Sequence, residues 1–114
     1  MYAINDVKDL LGKQFKTLLT DDSNKLFDIY EPQAAEIVKN KAGVTAAAAW
    51  LKQPFVWILE YLSQSQLSGQ SKEQMDFISE HYDKAVKILE EGYTDTQNAS
   101  TSKVVSYNEV YSTE

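Results

Sequence analysis

The segment Pro54 to Leu62 most constrains the fold, because eight of its nine residues are uncharged and nearly all are apolar. A helix that is apolar on nearly every side is a buried helix, since a surface helix keeps a polar face toward water. Pro54 suits the opening of such a helix, where its missing N–H costs little. The segment therefore predicts a central helix that other helices surround, and an all-α domain.

Three further helical segments are predicted around it, which gives a small four-helix domain. Asn5 or Asp6 can cap a short first helix that ends at Gly12, and residues 13–20 add one or two turns. Proline in a helix interior costs about 3 kcal/mol, so the second helix is predicted from Pro32 to Lys41. The apolar residues between Leu26 and Tyr30 are then expected to pack before this helix, and whether they form a kinked helical lead-in stays open.

The fourth helix has the clearest pattern in the chain. Ser71 and Gln74 match a capping box, in which each side chain bonds the backbone N–H of the other residue. Apolar residues at 3–4 spacing predict one inward stripe: Met75, Ile78, Tyr82, Ala85 and Leu89. Gly92 is predicted to end the helix. The helical domain is accordingly assigned to residues 1–92.

Residues 93–114 are predicted to form an extended C-terminal arm. Ser and Thr crowd this segment, but five apolar residues stand in its second half: Val104, Val105, Tyr107, Val110 and Tyr111. Val105, Tyr107 and Tyr111 share one face of an extended strand. A frayed terminus and an arm ordered by a partner stay equally open.

The charged and metal-ligating residues predict no catalytic, metal or cofactor site. The chain has no Cys and one His, His81, which excludes thiol chemistry and multi-His metal sites. The acidic turn that starts at Asp21 lacks the calcium-loop pattern, since Leu26 stands where glycine is needed and Pro32 where glutamate is needed. Glu80 and His81 are adjacent, so on a helix they point in different directions. We expect no enzyme.

Charge and aromatic residues argue against nucleic-acid reading. The net charge is −6, and all 11 basic residues are Lys, so the Arg fork that reads guanine and phosphate is absent. Trp50, Trp57 and Tyr61 could stack on bases, but core packing is the better interpretation for Trp57 and Tyr61, which stand four residues apart on the apolar helix. His81 is predicted to be a surface or partly buried residue.

No membrane segment or secretory signal is expected. The most apolar stretch, residues 44–62, contains Lys52, Pro54 and Glu60, whereas a membrane span needs about 20 mostly apolar residues. Residues 1–6 have neither a basic region nor an apolar run.

The order of these segments resembles a known family. The chain resembles the head–tail connector (adaptor) proteins of tailed bacteriophages, including the Mu-like small neck proteins. The features that carry the resemblance are the opening of residues 1–12, the acidic turn at Asp21, the apolar helix that starts at Pro54 and the last helix, which ends at Gly92. The resemblance covers residues 1 to about 92. It implies a structural virion protein, made in the bacterial host cytoplasm and located in the neck at the head–tail interface.

The resemblance also implies partners. Proteins of that family form homo-oligomeric rings, commonly of twelve subunits, that join the portal to other neck or tail proteins and extend the channel through which DNA passes without sequence-specific binding. It implies that Val104, Val105, Tyr107, Val110 and Tyr111 bind the partner. The opening segment is a candidate intersubunit contact through four residues: Tyr2, Ile4, Val7 and Leu11.

One departure and two alternatives stay open. Many relatives carry Arg after the third helix, whereas residues 63–66 here read Ser-Gln-Ser-Gln, which puts direct phosphate contact there in doubt. The main alternative is a helical protein–protein interaction module, or a small regulator that binds a partner through its C-terminal tail. A small DNA-binding regulator is the weaker one.

Overall fold

The computed structural model of the protein describes residues 1–23, 25–44 and 47–99, and over these ranges it is all-α, as predicted. Five helices follow one another: α1 Ile4–Val7, α2 Lys13–Leu19, α3 Leu26–Ala42, α4 Lys52–Ser63 and α5 Lys72–Ala99. Short 3₁₀ turns follow α1 and flank α4 at Lys8–Leu10, Ala49–Leu51 and Gln64–Gln66. The predicted count of four is one short, because extended backbone at Gly12 separates α2 from the first helix.

Helix α4 lies at the centre of the domain, as the sequence predicts. It packs against both α3 and α5, which also contact each other. Phe55, Val56, Ile58 and Leu59 are fully buried, so the apolar side chains of α4 point into three different neighbours. Burial of each such side chain contributes about 1.5–3 kcal/mol, which makes α4 the largest single source of core stability.

The N-terminal segment packs on the remaining side of α4, where three hydrogen bonds and one ring contact join it to α4 and to Ala48 before that helix. The Tyr2 hydroxyl donates to the Ala48 carbonyl and accepts from the Ala48 N–H, and the Tyr2 ring meets Phe55 edge-on at 4.9 Å. The Gly12 N–H donates to Glu60 of α4 at 2.8 Å. These contacts hold residues 1–19 against the core.

Helix α3 begins six residues before the position predicted from Pro32. Lys25 adopts a left-handed conformation (φ 51°) and turns the chain into the helix at Leu26, and Pro32 lies exposed inside it. Leu26, Phe27 and Tyr30 pack partly buried against the core. That packing offsets the hydrogen bond that proline removes, so the lead-in before Pro32 is a full helical turn.

Helix α5 starts as predicted and ends later. Ser71 and Gln74 form the capping box, with both backbone-to-side-chain bonds at 3.1 Å. Gly92 breaks the helix (φ 84°, ψ 162°), but the backbone is helical again through Ala99, where an extended arm is predicted from residue 93. Few apolar residues after Gly92 mean that this segment cannot build a core of its own. Helical hydrogen bonds form within the segment and need no core, so the helix can extend past Gly92.

The inward stripe of α5 is narrower than predicted. Ile78, Ala85 and Leu89 are buried and Tyr82 is partly buried, but Met75 is 44% exposed. Apolar spacing predicts the direction of a side chain and not whether a neighbouring helix reaches it. Met75 lies in the first turn of α5, where none of the described elements covers it.

None of the described helices combines the length and the apolar content that a membrane span requires.

We predict that Leu59→Ala lowers the free energy of unfolding by about 2–5 kcal/mol, because it leaves a cavity beside a fully buried side chain. Leu10→Ala is the matched control, since the same atoms are removed from a side chain that is 42% exposed. Urea denaturation followed by circular dichroism measures both. Equal losses in the two variants would contradict the central position of α4.

Candidate functional site

Five rings from α4 and α5 form one aromatic surface: Trp57, Tyr61, Phe77, His81 and Tyr82. The His81 ring lies between two others, stacked on Trp57 at 4.6 Å and tilted against Phe77 at 4.1 Å. Tyr61 and Tyr82 form a second stack beside it, with ring centroids 4.2 Å apart. Offset-stacked and tilted arrangements are the favourable geometries for aromatic rings, and such pairs are worth about 0.5–1.5 kcal/mol beyond area burial.

Helical spacing explains why these rings meet. Trp57 and Tyr61 stand four residues apart on α4, and Phe77 and His81 stand four residues apart on α5. Residues at that spacing lie above one another on the same helix face. Because α4 and α5 pack against each other, the two aromatic pairs come together along the edge of their contact.

Phe77 is the part of the aromatic surface that solvent reaches most. Its side chain is 58% exposed, the highest value among the large hydrophobic side chains of the described residues, whereas the other four rings are partly buried. A large aromatic residue that is held in place on one side and open on the other can bury more apolar area when a second molecule covers it. Phe77 is therefore suited to contact with a second molecule.

The environment of His81 keeps its ring uncharged over a wider pH range than usual. Burial lowers the pKa of His81 below its ordinary value of 6.5, and the Lys84 ammonium lowers it further, while Glu80 acts in the opposite direction. At neutral pH the ring therefore adds apolar area to the stack and no positive charge. His81 is partly buried, in agreement with the prediction from the sequence.

Glu60 is the one charged side chain that is buried among the described residues, with 8% of its surface exposed. Burial raises the pKa of its carboxyl above the ordinary value of 4.5, and the hydrogen bond from the Gly12 N–H partly offsets that rise. Its one bonded partner joins α4 to the start of α2. We interpret Glu60 as a structural clasp for the N-terminal segment, because it faces the core and not the aromatic surface.

A shallow hollow of about 370 Å³ lies between α1 and the turn that precedes α3. Asp21, Asp22 and Asp28 line it together with Lys8 and Lys25, so both signs of charge are present. Asp21 accepts hydrogen bonds from the Ser23 N–H and hydroxyl, which lower the pKa of its carboxyl and form the predicted turn. Across the described ranges, no three potential ligands are close enough to hold a metal ion.

The four residues predicted as an intersubunit contact lie mostly in the core of their own chain. Tyr2, Val7 and Leu11 are buried, and Ile4 is partly buried at the rim of the hollow. Packing within the chain accounts for the burial of these three side chains, so of the four only Ile4 offers a substantial part of its side chain to a second molecule. The intersubunit role itself stays a prediction.

The residues predicted to bind a partner lie outside the described residues: Val104, Val105, Tyr107, Val110 and Tyr111. The aromatic surface is a different region. The sequence predicted Trp57 and Tyr61 as a core pair on α4, Tyr82 on the inward stripe of α5 and His81 as a surface or partly buried residue, but it did not bring the two helices' rings together. Phe77 was missed. Its signal was available, since it is a large apolar residue four positions before His81 and off the inward stripe of α5.

Comparison of the chain with family models, with curated proteins and with solved structures found no match.

We predict that His81 titrates with a midpoint below 6.5, because its ring is partly buried between Trp57 and Phe77. Lys84→Gln should raise the midpoint and Glu80→Gln should lower it, since these charges act on the ring in opposite directions. As pH falls below 6.5 the unfolded chain binds the proton first, so stability should fall. A proton NMR titration of this single histidine measures the midpoint. A value at or above 6.5 in the wild type would contradict the burial of the ring.

We predict that Glu60→Gln makes the protein more stable at pH 7, because the amide still accepts from Gly12 and no charge is buried. The raised pKa means that Glu60 costs no extra stability below about pH 4.5 and destabilises the fold as pH rises through its folded pKa. The difference between variant and wild type should therefore vanish near pH 4. Urea denaturation at several pH values measures it.

Two control variants complete the Glu60 measurement. Glu36→Gln makes the same chemical change at an exposed position of α3 and should leave stability nearly unchanged at both pH values. Glu60→Ala leaves the Gly12 N–H without its acceptor and should cost about 1–3 kcal/mol. A Glu60→Gln protein that is less stable than wild type at pH 7 would show that the ionised carboxylate stabilises the fold.

Proposed function

We propose that this chain is a non-enzymatic assembly subunit that acts by binding other proteins. The observation that carries the proposal is Phe77, which is 58% exposed while its ring packs on His81, and the other side of His81 stacks on Trp57. Aromatic side chains in well-packed surroundings dominate the energy of protein interfaces. A small domain that presents such a ring has the main element of an interface.

In its finer form, the proposal is a head–tail connector subunit of a tailed bacteriophage. The resemblance over residues 1 to about 92 supports it, as does the all-α fold. The subunit would form a ring beneath the portal, bind neck or tail proteins and continue the DNA channel. Its place would then be the virion neck.

The charge of the chain supports this role. A net charge of −6 and the absence of Arg disfavour tight binding to DNA phosphates. An acidic subunit repeated around a channel would repel DNA and let it pass without adhering. Sequence-independent passage therefore needs no DNA-binding site on this chain.

In this proposal the C-terminal residues serve a second contact. Among the side chains that the structure describes, the buried core runs from Tyr2 to Leu89. The arm residues singled out in the sequence, from Val104 to Tyr111, would bind the portal or a neighbouring subunit.

The second candidate function is a helical interaction module or small regulator that binds a single partner. The same exposed Phe77 favours it, because one docking surface serves a monomer as well as a ring. The two candidates differ in assembly: a connector forms a ring on the portal, and a module binds one partner at equal stoichiometry.

We predict that the full chain, incubated with the portal of the same phage, co-sediments with it as a ring, and that Phe77→Ser weakens this association at least tenfold. Loss of a central aromatic contact typically costs 2 kcal/mol or more, which exceeds a factor of ten. Sedimentation velocity gives the stoichiometry, and electron microscopy shows the ring.

Met75→Ser is the matched control for Phe77→Ser, since Met75 is an exposed apolar residue two positions away on another face of α5. It should leave portal binding nearly unchanged. A chain that stays monomeric with the portal present would contradict the connector, and binding of a single copy would favour the interaction module.

A further inference from the structure

The charges beside Phe77 indicate what kind of partner the aromatic surface fits. Glu73 precedes Phe77 by four residues and Glu80 follows it by three, so both carboxylates lie on the Phe77 face of α5. At 1.5 Å per residue they stand about 6 Å and 4.5 Å from Phe77 along the helix axis. Both side chains are exposed.

Neither of these two carboxylates forms an ion pair with a lysine among the described residues, so both can bind a cation of a partner. Lys72 pairs with Asp76 at 3.0 Å. Lys84 follows Glu80 by four residues on the same face of α5, and it lies seven residues from Phe77, about 10.5 Å along the axis, so it is farther from Phe77 than either carboxylate. Burial lowers the pKa of His81 below 6.5, so its ring is mostly uncharged at neutral pH. The immediate rim of Phe77 is therefore acidic.

We propose that the aromatic surface binds a basic amphipathic segment of another protein, which lays an apolar side chain on Phe77 and Trp57 and places Lys or Arg over Glu73 and Glu80. The proposal rests on the proposed function, since it names the chemistry of the partner at the same surface. An apolar centre with a charged rim is the usual anatomy of an interface, and opposite charge at the rim sets partner choice.

Charge also argues against two other occupants of the aromatic surface, a second copy of this chain and the C-terminal residues of the same chain. A second copy of this chain would bring its own Glu73 and Glu80 toward an acidic rim, and each copy has a net charge of −6. Residues 100–114 of the same chain contain Lys103 against Glu109 and Glu114, a net charge of −1. Neither offers the positive charge that the rim requires.

Two synthetic peptides test the proposal with the full chain. They share Leu residues at helical spacing and differ in carrying Lys or Glu at the flanking positions. Each is titrated into ¹⁵N-labelled protein at low salt, and the Trp57 indole N–H is distinguished from that of Trp50 with Trp50→Phe. The Lys peptide should shift the resonances of Trp57, Phe77 and His81, and the Glu peptide should bind at least tenfold more weakly.

Matched variants separate the rim charge from overall charge. Glu73→Gln with Glu80→Gln should weaken the Lys peptide about fivefold, and the effect should shrink as salt is added. Glu36→Gln with Glu91→Gln removes the same charge from exposed positions on α3 and on α5, 14 residues after Phe77, and it should change binding less than twofold. Phe77→Ser should abolish the shifts, whereas Met75→Ser should retain them.

Other outcomes overturn the inference. Equal binding of both peptides, or binding of neither, would show that the acidic rim does not select a basic partner. Concentration-dependent shifts of Trp57 and Phe77 without peptide would assign the surface to a second copy, and their loss on deleting residues 100–114 would assign it to the arm. Portal binding measured separately tells this failure from failure of the proposed function, because a ring that forms without peptide selectivity leaves the connector standing.

Discussion

Helix α4 has almost no face that tolerates water, and the other elements take their positions from the need to enclose it. Helices α3 and α5 cover two sides, and the segment before α3 covers a third through Tyr2 and Gly12. This arrangement costs desolvation energy at Glu60. A glutamate is ionised in bulk water at neutral pH, but the Glu60 side chain is almost wholly buried, and the Gly12 N–H is its hydrogen-bond partner. A buried carboxylate with one donor is poorly compensated. The same hydrogen bond fixes the start of α2 to the most apolar helix of the fold.

The aromatic surface follows from the same geometry. One helix can present only a limited stripe to α4, and Ile78, Ala85 and Leu89 already fill that stripe on α5. The larger side chains at its margin, Phe77 and His81, are left to pack along the edge, where Trp57 meets them. The surface is therefore supported by the core behind it. Side chains that are already stacked lose little conformational freedom when a partner covers them, so more of the contact energy appears as affinity.

Two local sequence patterns, an apolar segment and a helix capping box, predicted much of this structure. The apolar segment after Pro54 indicated a central helix, and Ser71 with Gln74 indicated the start of α5, because burial and capping are set by local sequence. The start of α3 was not predictable, since it depends on whether packing of Phe27 and Tyr30 outweighs the proline penalty, a balance between residues far apart in the chain. The aromatic surface needs the contact between α4 and α5, which no spacing within a single helix reveals. Burial of Tyr2, Val7 and Leu11 in their own core has the same origin.

A surface centred on one exposed phenylalanine is small for a stable pairwise complex, since specific interfaces bury about 1,200–2,000 Å² in total. Repetition resolves this difficulty in the proposed ring. Each subunit would offer the same aromatic centre and acidic rim at a fixed spacing, and a partner with matching symmetry would engage several at once. Linked contacts raise the effective concentration of each neighbour, so overall affinity can exceed that of one site by factors of about 10²–10⁴. A weak, charge-selected contact is then an advantage, because a single misplaced partner dissociates while a complete ring is retained. The modest size of the surface is thus consistent with an assembly role and disfavours a partner that binds one isolated copy tightly.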